Sequence, residues 1–220
     1  MIYSQINKVT EQIISLELCN DQNFPSINQD TGGFEIIDIS KKNRTTTSIF
    51  QKKIPYKEMY SYLSKHRIYN IKMIDGALIH FQYIFRNNMI ERHRLTFFPS
   101  PSLELFQNYP ELYLEDEIYN DILDYRVVTV PLRFDFDSRE HVTEPILHPI
   151  SHLTIGQYEN CRIPVSAALT PLQFIKFILM NFYNNAYERY SDQLIENKDF
   201  FKTCILPEEK KFINLNLPIY

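Results

Sequence analysis

Tryptophan is absent from this chain, and glycine occupies only 4 of its 220 positions. A phosphate-cradling loop needs glycines that let the backbone approach the ligand and adopt positive φ. Gly32-Gly33 is the one adjacent pair, and neither a P-loop nor a dinucleotide fingerprint surrounds it, so nucleotide binding of those kinds is excluded. Cysteine is also scarce: Cys19, Cys161 and Cys204 lie far apart, with no CxxC. An odd, scattered set fits reduced thiols better than a disulfide framework. Positive charge is not in excess. A formal net charge of -4 and a pI of about 5.9 argue against a protein that coats DNA, although a local basic groove stays compatible with them. The densest basic runs, Lys41 to Arg44 and Lys65 to Arg67, are short and read as solvated loop or helix ends. No apolar run is long enough to cross a bilayer, since FIKFILMNFY is short and broken by Lys176. The opening MIYSQINKVTEQ has neither the basic lead nor the apolar stretch of a secretory signal. The expectation is a cytoplasmic protein with no membrane partner. HEXXH and a serine nucleophile elbow are missing as well.

What is present is aromatic. With 16 Phe, 15 Tyr and 44% hydrophobic residues, the chain has material for a sizeable core in a single domain spanning 1–220. Ile6, Val9, Ile13 and Leu16 recur at spacings of three and four, which predicts an amphipathic helix over about 3–19. Asn20 to Gly33 is polar and reads as a loop, and Phe34 to Ile39 alternates as a strand. Pro55 opens a short helix through Leu63. The period then changes to two: Ile68 to Ile74, the turn at Asp75-Gly76, Ala77 to Phe85, the turn at Asn87-Asn88, and Met89 to Phe98 predict a three-stranded antiparallel meander. Arg126 to Asp137 reads as a long strand. Its Pro131 implies an edge or a bulge, because proline cannot donate to a ladder. A short strand near His152 to Ile155 follows. Thr170-Pro171-Leu172-Gln173 is a capping box opening a packing helix over about 170–190, before a short C-terminal extension. The fold class is α+β: an antiparallel sheet over about 34–156, with helices mainly on one face.

Titratable groups concentrate in RFDFDSREHVTEPILHPISHLTIG, Arg133 to Gly156, which holds three of the six histidines. Strand alternation turns Leu132, Phe134 and Phe136 one way and Arg133, Asp135 and Asp137 the other. Two carboxylates flanked by a fixed cation can hold a metal or orient a water, while the arginine stabilises developing negative charge. The same residues also suit a solvated sheet face, with exposed ion pairs worth at most about 1 kcal/mol. His148 and His152 supply imidazoles suited to proton transfer near neutral pH or to metal ligation, as His141 does more remotely. Asp135, Asp137, His148 and His152 are thus the candidate ligands for a divalent metal, although their spacing matches no metal signature. Structural hydrogen bonding is the competing role of such imidazoles. The meander adds His80, Gln82, Arg92, His93 and Arg94. A three-residue turn sets His80 opposite Arg94 and Gln82 opposite Arg92, whereas a two-residue turn sets Gln82 opposite His93. Cys161 beside Arg162 has the setting of a lowered thiol pKa, yet a buried, inert cysteine fits the sequence better.

The runs IDGALIHFQYIF…RHRLTFFPSPSLELFQ and VPLRFDFD…HPISHLTIGQYENCRIPVS…LTPLQFIKFILMNFY resemble an uncharacterised bacterial family, domain of unknown function 2290, over Asp75 to Tyr183. The resemblance implies a bacterial single-domain protein and supplies no activity. A fainter likeness, a hairpin followed by an R-x-D strand and a histidine segment, is to small toxins of toxin–antitoxin pairs. By association it implies a defence or toxin–antitoxin module.

Two functions are expected in competition. One is a nuclease-like site for phosphodiesters, metal-assisted or general acid–base, with Arg133, Asp135, Asp137, His148 and His152 catalytic and His80, Arg92, Arg94 and Arg162 binding substrate. The other is a non-catalytic accessory subunit that docks on a companion from the same gene cluster through the acidic, tyrosine-rich Leu105 to Tyr125.

Overall fold

The computed structural model describes residues 2–39, 54–102, 130–139, 141–158, 160–194 and 200–218. The chain opens with α1 (Ile2–Ser15), which buries Ile2, Ile6, Val9 and Ile13 along the predicted stripe. Two short strands follow, β1 (Cys19–Gln22) and β2 (Ser26–Gln29), where a loop was expected. Their alternation is hidden because half-buried polar residues take the inward positions, as in Cys19-Asn20-Asp21-Gln22. Then come β3 (Phe34–Asp38), α2 (Tyr56–Lys65), β4 (Ile71–Met73), β5 (Leu78–Arg86), β6 (Met89–Phe98), β7 (Leu132–Asp137), β8 (Ser151–Ile155) and β9 (Ile163–Pro164). All nine described strands join one sheet, ordered β1-β4-β5-β6-β7-β8-β9, and the β2–β3 hairpin adds to β5 beside β4. Every pairing is antiparallel.

The predicted meander is present, but its second register is neither of those anticipated. Asn87 and Asn88 both have positive φ, 51° and 61°, as a two-residue hairpin turn requires. Arg86 therefore faces Met89 and Phe85 faces Ile90, yet Ile84 faces Arg92. Glu91 is the extra residue of a β-bulge. From there on Tyr83 lies opposite His93, Gln82 opposite Arg94 and His80 opposite Thr96. The bulge turns Arg92 and Arg94 away from the apolar layer and His93 into it.

The core lies on the face carrying Ile79, Phe81, Tyr83, Leu95, Phe97, Phe134 and Leu153, against α1 and α3 (Pro171–Phe182). Phe174 of α3 meets Phe81 and Phe134 edge-on, each at 5.9 Å between centroids, and Phe177 meets Phe134 at 5.1 Å. Such edge-to-face packing matches the positive ring edge to the negative face. The predicted capping box is formed: Thr170 Oγ1 accepts from the Gln173 N–H at 3.3 Å, and Gln173 Oε1 accepts from the Thr170 N–H at 2.9 Å. The helix does not run on to residue 190. It breaks at Tyr183, whose backbone sits at φ -138°, and restarts as α4 (Asn184–Tyr190). The buried Tyr183 hydroxyl donates to Asp75 Oδ2 at 2.9 Å.

Two side chains fasten the segment before α3 to the sheet. The Tyr83 hydroxyl donates to the Leu169 carbonyl at 2.8 Å, and the Leu169 N–H donates to His93 Nε2 at 3.0 Å. α2 covers the other face, where Met59, Tyr60 and Leu63 pack on Leu78 and Phe98. Helices thus occupy both faces, with α1, α3 and α4 on the core side. β7 is an interior strand between β6 and β8, not an edge. Pro131 avoids the ladder by preceding its first residue, and its carbonyl accepts from the Gly156 N–H at 2.7 Å. The part of the expected strand before Val130 lies outside the described residues. No described helix is long and apolar enough to cross a membrane.

Gly76 holds the turn between β4 and β5 at φ +86°, and an added Cβ would stand 3.2 Å from Ser100 Cβ and from Tyr60 Oη. Gly76→Ala combines positive-φ strain with crowding beneath α2. A loss of about 1–2 kcal/mol is expected, which lowers the melting temperature by about 2–8 °C in a chain of this size. Thermal unfolding followed by circular dichroism checks it, and an unchanged midpoint would refute the strain argument.

Candidate functional site

The face of the sheet opposite the core carries the polar residues, and register sets them in rows. Gln82, Arg94, Asp135 and His152 form one row across β5, β6, β7 and β8. His80, Thr96, Arg133 and Thr154 form the next row on the same face. Ile84, Arg92 and Asp137 form a third. Arg94, Arg133, Asp135 and His152, singled out from sequence, therefore do converge.

Asp135 is the centre. Its Oδ1 accepts from Arg94 Nε at 2.9 Å, and its Oδ2 accepts from Arg133 Nε. Its side chain is 13% exposed, against 22% for Arg94 and 29% for Arg133. Burial alone would raise its pKa, but the two guanidiniums outweigh burial and hold the carboxyl far below the usual carboxylate range. Two cations share one anion, so the trio carries a net positive charge.

His152 lies beside this trio, almost fully buried. Its Nδ1 donates to the Pro149 carbonyl at 2.8 Å, which fixes the proton on that nitrogen. Nε2 is left as a lone-pair nitrogen, 3.8 Å from Asp135 Oδ2 and beyond hydrogen-bond reach. Burial pushes the imidazole down to about 4, against a smaller upward pull from Asp135. His152 is therefore neutral at pH 7 and presents a base. The His148 ring lies across from it, centroids 5.2 Å apart. Burial and the Arg162 charge lower His148 too. Arg162 Nη1 donates to the Leu147 carbonyl at 3.2 Å, closing the turn that carries His148.

Asp137 does not act with Asp135 as a pair. The Arg139 fork holds it: Nε reaches Oδ1 at 2.8 Å and Nη2 reaches Oδ2 at 2.6 Å. Those bonds keep its pKa low despite the upward push of burial. Arg92, opposite Asp137, is half-buried; burial and the neighbouring Arg139 charge lower its pKa. His80 serves a different partner, donating through Nε2 to Asp38 Oδ1 at 3.0 Å, while Gln82 donates to Asp38 Oδ2 at 2.6 Å. Asp38 is fully buried and held below its usual pKa, burial being outweighed by these contacts. Among the described residues no group of three or more His, Cys, Asp or Glu side chains is placed to hold a metal. Both candidate ligand carboxylates are instead committed to arginines.

Asp38, Thr96 and Thr154 were not anticipated from sequence. Asp38 ends an alternating strand, but its meeting with His80 depends on β3 pairing with a strand more than forty residues away. His93 was a polar-face candidate in one register, yet it lies in the core. Cys161 is part-buried beside Arg162 and bonds to nothing that would activate it among the described residues. The stretch Leu105 to Tyr125 lies outside the described residues.

Fold and site together define an α+β protein built on one antiparallel sheet, with a cationic, histidine-bearing polar face. The chain belongs to the family described as Uncharacterized conserved protein (DUF2290), whose profile matches residues 18–217. The match extends well beyond the segment that carried the resemblance. It lends nothing to the likeness with small toxins. No curated protein matches the chain, and no solved structure does.

Proposed function

We propose that the polar face is a phosphodiester-directed, nuclease-like site that works by general acid–base chemistry, in a protein serving a defence or toxin–antitoxin type module. The observation that carries this reading is His152: one nitrogen locked as a donor to Pro149, the other left basic beside a carboxylate shared by two guanidiniums. Nε2 removes the proton from an attacking hydroxyl or water. The new P–O bond forms as the bond to the leaving oxygen breaks, and the imidazolium returns the proton to that oxygen. Arg94 and Arg133 neutralise the charge that builds on the phosphate. Asp135 orients both arginines and stabilises the imidazolium, with His148 and Arg162 at the rim. A metal-assisted route fits less well, because Asp135 and Asp137 would first have to release their arginines.

A companion protein from the same gene cluster is the alternative partner, and the segment expected to dock it, Leu105 to Tyr125, lies outside the described residues. The test of the nuclease reading is incubation with mixed-sequence RNA and DNA at pH 7, with chelator and with added magnesium or manganese. Cleavage by the wild type should survive chelation, and His152→Ala should slow it by about 10²–10⁴-fold. A wild type indistinguishable from the Asp135→Ala, His152→Ala double variant would reject the reading.

A further inference from the structure

The row next to Asp135 holds Thr96, Arg133 and Thr154, directly opposite one another on β6, β7 and β8. Thr96 is 1% exposed and Thr154 6%, and the hydroxyl of each is buried with no hydrogen-bond partner. Buried hydroxyls are normally satisfied, so two unsatisfied ones flanking one arginine need an explanation. Arg133 commits only Nε, to Asp135; among the described residues its two Nη groups bond to nothing. Its side chain is 29% exposed, so the free end of the fork can be reached from solvent.

From this geometry we infer that Thr96, Arg133 and Thr154 form a receptor for one tetrahedral oxyanion, the phosphate of a phosphorylated ligand. The inference rests on the phosphodiester reading of this face and places the phosphate within it. The guanidinium offers parallel N–H donors that match two phosphate oxygens, and a hydroxyl on each side can rotate to donate to a third or fourth. A carboxylate would have to crowd all four donors onto two oxygens, whereas a phosphate spreads them over more. The charge fits as well, because Arg133 does not hold the Asp135 carboxylate alone but shares it with Arg94. Among the described residues Asp38 is the other buried acid on this face, and its oxygens are taken by His80 and Gln82. A phosphate bound here would lie one row from His152 Nε2.

Inorganic phosphate and a 5′-phosphorylated dinucleotide, compared with the 5′-hydroxyl dinucleotide, should be titrated calorimetrically into the full chain. The wild type should bind both phosphorylated probes. Thr96→Val with Thr154→Val, which keeps shape and removes only the hydroxyls, should weaken both by at least about tenfold. Arg133→Lys, which keeps charge and loses the fork, should weaken them similarly. His152→Ala should leave phosphate binding intact. No phosphate binding by the wild type, or equal binding by the double valine variant, overturns the receptor. Phosphate bound in this pattern without any nucleic-acid cleavage upholds the receptor and removes the chemistry assigned to His152.

Discussion

Asp135→Ala is expected to destabilise the fold by about 3–5 kcal/mol, the range for removing one partner from a buried ion pair. The variant leaves Arg94 and Arg133 facing each other across an emptied position, each only partly solvated and each repelling the other. The low exposure of all three side chains is what separates this case from a surface pair, worth about 0–1 kcal/mol. Urea unfolding at pH 7 reads the change, with the slope checked so that a shifted midpoint reports stability alone. A loss below about 1 kcal/mol would mean the trio is solvated in practice, and the argument for a preorganised cationic site would fail with it. Asp135→Asn separates charge from shape, because it retains an acceptor for one arginine. It should fall between the wild type and the alanine variant.

Acid should weaken the protein well above the range in which carboxylates titrate. Burial depresses His93 to about 4, with a smaller opposing pull from Asp135, and His152 behaves alike. In the unfolded chain both titrate near 6.5. The unfolded state therefore binds protons that the folded state refuses as pH falls from about 6.5 to about 4, and stability drops through that window. Above about 6.5 neither state is protonated and this contribution is flat. His93 is the cleaner probe because it is fully enclosed and accepts from the Leu169 N–H. His93→Gln keeps an acceptor and cannot titrate, so its stability should fall less between pH 6.5 and pH 4.5. Equal pH dependence in urea unfolding of the two proteins would contradict the assignment. Asp135 adds a second, more acidic stage, since a carboxylate depressed by its arginines stabilises the fold until it is protonated.

Local periodicity made much of this architecture legible. The three- and four-residue spacing of α1, the Thr170 capping box, the Asp75-Gly76 turn and the alternation of Arg133 to Asp137 depend on neighbours in the chain, and each appears in the structure. The polar face was readable for the same reason, once β7 was taken as a strand. What could not be read was set at a distance. β1 and β2 are short and polar, and they are strands because β4 and β3 supply their bonds. Asp38 meets His80 only through the pairing of β3 with β5. The break falls at Tyr183, whose hydroxyl reaches Asp75 more than a hundred residues away, a contact no helical period encodes. Asp135 and Asp137 share a face, as alternation requires, but separate arginines claim them.

The unpaired Glu91 acts as a frame-setter for everything downstream on β6. Pair Glu91 regularly with Ile84 instead, and the ladder would close with two guanidiniums thrust among phenylalanines and an imidazole turned outward. Substitutions in this corner that respect its backbone angles are mild by comparison. Skipping one residue in the ladder is therefore the stricter specification, and the chemistry of the opposite sheet surface is inherited from that single omission.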